Sequence, residues 1–132
     1  MAEKVLVVGG LLNVAYGLLL GLAIVRVRTA GAPATPRYLH AAHIGTFLQA
    51  AVLFGLVWAV RLSDLGSGWQ QAAAWLVVIA SGLVAVMDTF NWLTGVQDAF
   101  AEKSKAVPLG ALAAIGDAVG VGILLVGVLK AL

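Results

Sequence analysis

The chain has 132 residues, of which 62% are hydrophobic and 11% are charged, and its mean hydropathy is +1.05. Because a soluble domain carries about twice that share of charged residues, the composition predicts a membrane protein. The formal net charge of +2 is too small for a nucleic-acid-binding surface, and the lack of cysteine excludes disulfides, iron–sulfur clusters, thiolate ligation and covalently attached haem.

Four apolar segments follow one another along the chain and predict four membrane-spanning helices. Their approximate bounds are residues 5–25, 38–60, 71–95 and 108–130. Each segment is about 20 residues long or slightly longer, which is enough to cross a hydrocarbon core of about 30 Å at about 1.5 Å per residue. Because the connecting segments are short, we expect one all-α domain over residues 1–132, folded as an up-down four-helix bundle.

The first segment has some features of a cleaved secretory leader, because Lys4 precedes it and Ala30-Gly31-Ala32 follows it. Its apolar stretch is longer than the core of a typical leader, and Arg26 and Arg28 flank it directly. We therefore expect a retained helix in a multi-pass protein of a bacterial cytoplasmic membrane. The distribution of basic residues favours an orientation with the first and third connections in the cytoplasm and both termini outside.

Pairs of glycines four residues apart occur in the first and last segments, as Gly17/Gly21 and Gly116/Gly120. In lipid, small residues at this spacing let helices approach closely. They indicate either packing inside one bundle or contact between copies of the chain. Since four short helices leave little interior for a site, we expect a homo-oligomer.

The second segment opens with the only two histidines of the chain, His40 and His43, which share a helical face at this spacing. His40 is expected at the level of the lipid headgroups. His43 lies about one helical turn deeper and is a candidate ligand for a metal or a haem, since neutral imidazole is the usual protein donor. The alternative is an interfacial or helix-capping histidine. Gln49 lies about 120° around the helix from His43, where it would line an adjacent wall.

Polar residues also interrupt the third and fourth segments, where they are costly in lipid and often functional. Asp88, Asn91 and Trp92 fall on one face of the third segment, and Asp117 lies midway along the fourth. Two interpretations stay open for each aspartate. It forms a wall of a binding site, or it makes a polar contact between helices worth about 1 kcal/mol or less.

Several chemistries do not fit these residues. Two histidines three residues apart on one helix cannot ligate opposite faces of one haem, and the chain has no nucleophile elbow, phosphate-binding loop or HExxH motif. The histidines and aspartates would suit a non-haem metal, but the repeated Glu-x-x-His pairs of di-iron bundles are absent. The pattern otherwise favours a haem with one histidine ligand and one open coordination position.

Motifs in three of the four segments resemble the styrene oxide isomerases, a family of small four-helix membrane proteins that bind haem b between the subunits of a trimer. Ala42-His43-Ile44-Gly45, followed by Leu48-Gln49, is similar to the Ala-His-x-Gly and Leu-Asn of the family's second helix. Asp88 with Asn91, and the pair Gly116-Asp117, resemble polar pairs in the family's third and fourth helices. The resemblance covers approximately residues 40–125.

The resemblance implies the redox-neutral isomerisation of a lipophilic epoxide to a carbonyl compound, with ferric haem b as a Lewis acid and without a reductase partner. It implies that His43 is the axial ligand of the haem iron and that Gln49 donates to the substrate oxygen. Asn91 or Thr94 would help to position the substrate. Asp88 and Asp117 are expected to contribute to the cofactor pocket of a homotrimer embedded in the lipid bilayer.

The chain departs from the family at three places. Gln49 stands where the family has an asparagine, and the stretch Thr94-Gly95-Val96-Gln97 replaces a part of the third helix that contains a tyrosine in the family. The connection between the third and fourth segments is also less aromatic than in the family. Two other classes of function therefore stay open. One is a non-catalytic haem protein, such as a sensor or an accessory subunit. The other is a haem-free transporter or assembly protein, in which Asp88 and Asp117 serve proton coupling or packing.

Overall fold

A computed structural model describes all 132 residues, from Met1 to Leu132. It contains no β-strand and four α-helices, which are α1 (Ala2–Thr29), α2 (Arg37–Leu62), α3 (Ser67–Leu93) and α4 (Val107–Lys130). Each helix is long and apolar enough to cross a bilayer, and the chain reverses direction at each connection. The predicted all-α, up-down four-helix membrane bundle is therefore confirmed.

Local sequence explains where helix α2 begins and where helix α3 ends. Pro36 precedes α2 with a φ of −54° and a ψ of 135°, an extended conformation from which the helix begins. Helix α3 ends at Leu93, two residues before the predicted bound, because Gly95 adopts a φ of +72°. The amides of Gly95 and Val96 turn back to donate to the carbonyls of the last helical turn at 3.1 and 3.0 Å. This glycine-containing cap satisfies carbonyls that a helix end leaves free.

Helices α2 and α3 form the centre of the bundle. Helix α1 packs against both of them, α4 packs mainly against α3, and α1 and α4 are not in contact. Glycines permit the close approaches: a Cβ on Gly120 would lie 2.7 Å from Val77 Cγ1, and a Cβ on Gly17 would lie 2.7 Å from Thr46 Oγ1. The glycine pairs of α1 and α4 are thus used for packing within one protomer.

The interior divides into two parts along the helix axes. We call the part next to the termini and the α2–α3 connection the apolar half, because one continuous cluster fills it. The members of that cluster are Ala2, Leu6, Leu53, Val60, Ala73, Ala74, Val77 and Leu124. We call the opposite part the polar half. It has a smaller buried cluster (Leu20, Leu39 and Ala42) and holds most of the predicted site residues.

The connection between α3 and α4, residues 94–106, folds against the start of α2 and closes the polar half. The Arg37 guanidinium donates to the Gln97 carbonyl at 2.8 Å. The Ala99 amide donates to the Tyr38 hydroxyl at 3.0 Å. These hydrogen bonds hold the connection in place beside the residues of the candidate site.

Candidate functional site

His43 lies on the face of α2 that packs against α1. Its Nδ1 is 2.8 Å from the Gly17 carbonyl oxygen. Because a carbonyl oxygen can only accept, Nδ1 carries a proton and donates it. The Phe47 ring, one turn further along α2, meets the imidazole edge-on, with ring centroids 5.3 Å apart and an interplanar angle of 89°. Together these contacts fix both the tautomer and the orientation of the imidazole.

The other ring nitrogen of His43, Nε2, has no hydrogen-bond partner in the protomer. It is not sealed in the core either, since the amide nitrogen of Asn91 is the only fully buried side-chain polar atom that lacks a partner. A neutral imidazole with a protonated Nδ1 and a free Nε2 is the form that binds a metal ion. His43 therefore has the geometry of a side chain that ligates a metal through Nε2.

His40 occupies a different environment from His43. Its side chain is exposed at the first turn of α2, close to the end of the helix, where we expect the lipid headgroups. The two histidines thus share a helix, but only His43 is half-buried and oriented by neighbouring residues. The two histidines therefore differ in burial and in hydrogen bonding, and the assignment of His43 as the ligand stays a prediction.

A second polar feature of the polar half is a narrow cleft between α2 and α3. Gln49 enters it from α2 and Asp88 enters it from α3. The Asp88 side chain is only 8% exposed, and neither residue makes a hydrogen bond to another part of the protein. The other residues that line the cleft are mostly small, namely Ala42, Gly45, Thr46, Ser81, Val84 and Ala85. Asp88 therefore lines this cleft, which is too narrow to hold a water molecule, and makes no hydrogen bond to another helix.

The polar contacts between helices are made by other residues. Asn13 of α1 donates to the Ser81 hydroxyl of α3 at 3.1 Å, and also to the Gly9 carbonyl at 3.0 Å. Tyr16 of α1 and Thr89 of α3 share a hydrogen bond of 2.7 Å between their hydroxyl groups. Hydrogen bonds of this kind hold membrane helices together at about 1 kcal/mol or less each.

Three further predicted site residues lie outside the cleft. Asn91 is fully buried, with its carbonyl oxygen accepting from the Ser104 hydroxyl and its amide nitrogen without a partner. Thr94 is exposed at the end of α3, and its hydroxyl donates to the Phe90 carbonyl at 2.8 Å. Asp117 is half-buried on α4 and has no hydrogen-bond partner. Of the predicted site residues, Gln49 and Asp88 line the same cleft, and the others do not.

The arrangement defines what the polar half can do chemically. Nowhere in the protomer do three or more His, Asp or Glu side chains come close enough together to hold a metal ion. What the protomer offers is a single imidazole nitrogen on the α1 side of α2 and an unpartnered carboxamide and carboxyl group on the α3 side.

Sequence reasoning missed one participant, the Gly17 carbonyl that holds His43. The only signal for it was the Gly17/Gly21 pair, which indicates a close approach but not which side chain is approached. Comparison of the chain with models of protein families, with curated proteins and with solved structures finds no match.

Proposed function

We propose that the protein is a haem-b-dependent membrane isomerase that converts a lipophilic epoxide into a carbonyl compound. The main support is His43, whose Nδ1 donates to the Gly17 carbonyl at 2.8 Å while Nε2 has no partner. Histidines that ligate metals have this arrangement, because the hydrogen bond fixes the tautomer and makes the other nitrogen more basic. The resemblance of the motif around His43 to the styrene oxide isomerases supports haem b as the cofactor and an epoxide as the substrate.

Bound through His43, ferric haem would supply a Lewis acid for the epoxide oxygen. The chain itself supplies an oriented ligand and an apolar surrounding. Next to the contact between His43 and α1, the helices expose Leu18, Leu22 and Ile44 to the lipid. Such a surface accommodates a flat apolar macrocycle and a lipophilic substrate. It also excludes water, which would otherwise convert the epoxide to a diol.

Gln49 is the best candidate for a donor to the substrate oxygen, because its amide has no partner in the protein and faces a cleft. It points about 120° away from His43 around α2, so one protomer does not direct both side chains to the same place. The proposal therefore includes a homo-oligomer, a trimer by the resemblance, in which the cleft of one copy approaches His43 of the next. We place this assembly in a bacterial cytoplasmic membrane, with the α1–α2 and α3–α4 connections in the cytoplasm.

Absorption spectra of the detergent-purified protein test the proposed cofactor. We expect a Soret band in the unmodified protein and in His40→Ala, and we expect His43→Ala to lose the band. The reverse result for the two variants would overturn the ligand assignment. A protein without a Soret band, even after haem is supplied, would overturn the haem proposal and favour a haem-free transporter or assembly protein.

Turnover of an aryl epoxide without a reductant tests the proposed reaction. We expect a carbonyl product, and we expect Gln49→Ala to lower kcat about a hundredfold, the usual cost of removing one donor to a developing negative charge. Its haem content should stay unchanged. Equal rates in the two proteins would remove Gln49 from the mechanism.

A second candidate function is that of a non-catalytic haem protein, such as a sensor or an accessory subunit. The observation that favours it is that the other two candidate positioning residues do not present a free group to a substrate. The Thr94 hydroxyl donates within its own helix end, and Asn91 is fully buried with its oxygen bonded to Ser104. A protein that binds haem through His43 but turns over no epoxide would support this candidate.

A further inference from the structure

We infer that α1 is part of the ligand site, because the Gly17 carbonyl and the unsubstituted Cα of Gly21 position the His43 imidazole and set its strength as an iron ligand. The inference rests on the proposed role of His43 as the axial ligand. It gives α1 a function that goes beyond membrane anchoring and packing.

The first step in the argument is the hydrogen bond from His43 to Gly17. A carbonyl oxygen has two lone pairs, so Gly17 can accept from its own helix and from His43 Nδ1 at 2.8 Å at the same time. Because the acceptor is a backbone atom inside a regular helix, its position is fixed by α1 as a whole. The imidazole is therefore held by a rigid element and not by a flexible side chain.

The second step is the close contact between the imidazole and Gly21. A Cβ on Gly21 would lie 3.1 Å from His43 Cε1 and 3.6 Å from Nδ1. The imidazole thus lies directly against the backbone of α1. A side chain at position 21 would require the imidazole or one of the two helices to move by a few tenths of an ångström, which lengthens the hydrogen bond if the ring moves.

The third step concerns Gly17, which faces the residues that surround His43 on α2. A Cβ on Gly17 would lie 2.7 Å from Thr46 Oγ1 and 2.9 Å from Phe47 Cε2. Thr46 donates to the His43 carbonyl at 2.9 Å, and Phe47 packs edge-on to the imidazole. The two glycines thus determine how closely α1 approaches the part of α2 that carries the ligand.

This geometry has a chemical consequence. An imidazole that donates its Nδ1 proton to a carbonyl gains negative character and becomes a stronger donor through Nε2. A stronger donor stabilises ferric over ferrous iron, and ferric iron is the better Lewis acid. Lengthening the hydrogen bond should therefore weaken haem binding and raise the midpoint potential.

Gly21→Ala in the full-length protein tests the inference, with Gly10→Ala as a matched control. Gly10 also faces α2, and its Cβ would lie 2.5 Å from Phe54 Cε1, so the steric conflict is at least as severe. It lies 11 residues from Gly21, about 16 Å along α1. We expect Gly21→Ala to release haem at least about tenfold faster, as changes to groups that orient a metal ligand do, and to raise the midpoint potential. Gly10→Ala should change neither quantity.

Equal effects of the two variants, or no effect of Gly21→Ala, would overturn the inference while the proposed function stands on the His43→Ala spectrum. A protein without haem would overturn the proposed function instead. If Gly21→Ala fails to assemble, nitrogen NMR of His43 in the haem-free protein decides the point. We expect a proton on Nδ1, and a neutral ring with its proton on Nε2 would overturn the inference.

Discussion

The apolar half and the polar half of the bundle are built from the same four helices but are packed in different ways. In the apolar half, Leu6, Leu53 and Leu124 are at most 1% exposed and belong to one continuous cluster. In the polar half, Asn91 is fully buried and Asp88 is 8% exposed, yet the Asn91 amide nitrogen and the Asp88 carboxyl lack partners. We interpret the apolar half as the main source of the stability of the fold. Because of that stability, the polar half can retain buried polar groups that have no hydrogen-bond partner.

The glycines show the same difference between the halves. In the apolar half, Gly120 lies against Val77 and the Ala73 carbonyl, so its contacts serve packing alone. In the polar half, Gly17 and Gly21 lie against Thr46 and His43, and the Gly17 carbonyl accepts a hydrogen bond from His43. One sequence pattern therefore has two uses, and substitutions can separate them.

The largest expected effect on stability is that of Gly120→Ala. Its Cβ would lie 2.7 Å from Val77 Cγ1 and 3.0 Å from the Ala73 carbonyl oxygen, and a backbone atom cannot move aside easily. We expect the free energy of unfolding to fall by about 2 kcal/mol, as overpacked cores usually show. Unfolding in mixed detergent and SDS micelles measures it.

Gly122→Ala is the matched control for this substitution. Gly122 lies on the same helix as Gly120, but a Cβ at position 122 would have no neighbouring atom within 4 Å. We expect an unchanged or slightly higher stability, since alanine is the better helix former by about 1 kcal/mol. Equal losses in the two variants would mean that packing against α3 does not decide the stability of the apolar half.

A smaller effect is expected when a polar contact between helices is removed. Asn13→Leu keeps the volume of the side chain but removes its hydrogen bond to Ser81, so we expect a loss of about 1 kcal/mol or less. Asp88→Asn removes no hydrogen bond within the protomer and should therefore change the stability by less than Asn13→Leu does. Unfolding of both variants in SDS micelles provides the comparison. If Asp88→Asn costs as much as Asn13→Leu, Asp88 stabilises the bundle and the distinction between the halves fails.

The fold could be predicted from the sequence because lipid leaves few alternatives. A segment of about 20 apolar residues must satisfy its own backbone hydrogen bonds, and only a helix does so within one segment. The end of α3 was predicted two residues too late, because a turn at Gly95 depends on backbone angles that an apolar count does not contain. The polar faces of α2 and α3 could also be predicted, since helical periodicity fixes which residues share a face.

The partners of those faces could not be predicted from one sequence. The acceptor of His43 is the Gly17 carbonyl, a backbone atom that every residue type possesses. The lack of a hydrogen-bond partner for Asp88 was not predictable either, because it depends on which polar groups of α1 and α2 lie near α3. Asn13 and Tyr16 make the contacts with α3 that the pattern assigned equally well to the aspartate.

The connection that closes the polar half is organised by Asp98, whose carboxylate accepts hydrogen bonds from the amides of Phe100 and Ala101 at 3.0 and 2.9 Å. These hydrogen bonds, with a smaller contribution from Arg37, lower the pKa of Asp98 below its ordinary value of 3.8. A carboxyl with a lowered pKa in the folded state stabilises that state above its unfolded pKa, and the contribution is lost as the pH falls through the folded value. The contribution of Asp98 to the connection should therefore be lost only below the ordinary aspartate value of 3.8.

The smallest expected effect is an acid-induced transition of this connection. The amide chemical shifts of Phe100 and Ala101 in micelles measure it as the pH is lowered. We expect a midpoint below 3.8, the ordinary value of an aspartate, and we expect Asp98→Asn to abolish the transition. Asp64→Asn, in the α2–α3 connection next to the apolar half, should leave it unchanged. A midpoint at or above the ordinary value would mean that the carboxylate does not hold the connection. The closure of the polar half would then depend on Arg37 and Tyr38 of α2 and on Glu102, whose carboxylate accepts from the amides of Gln97 and Asp98.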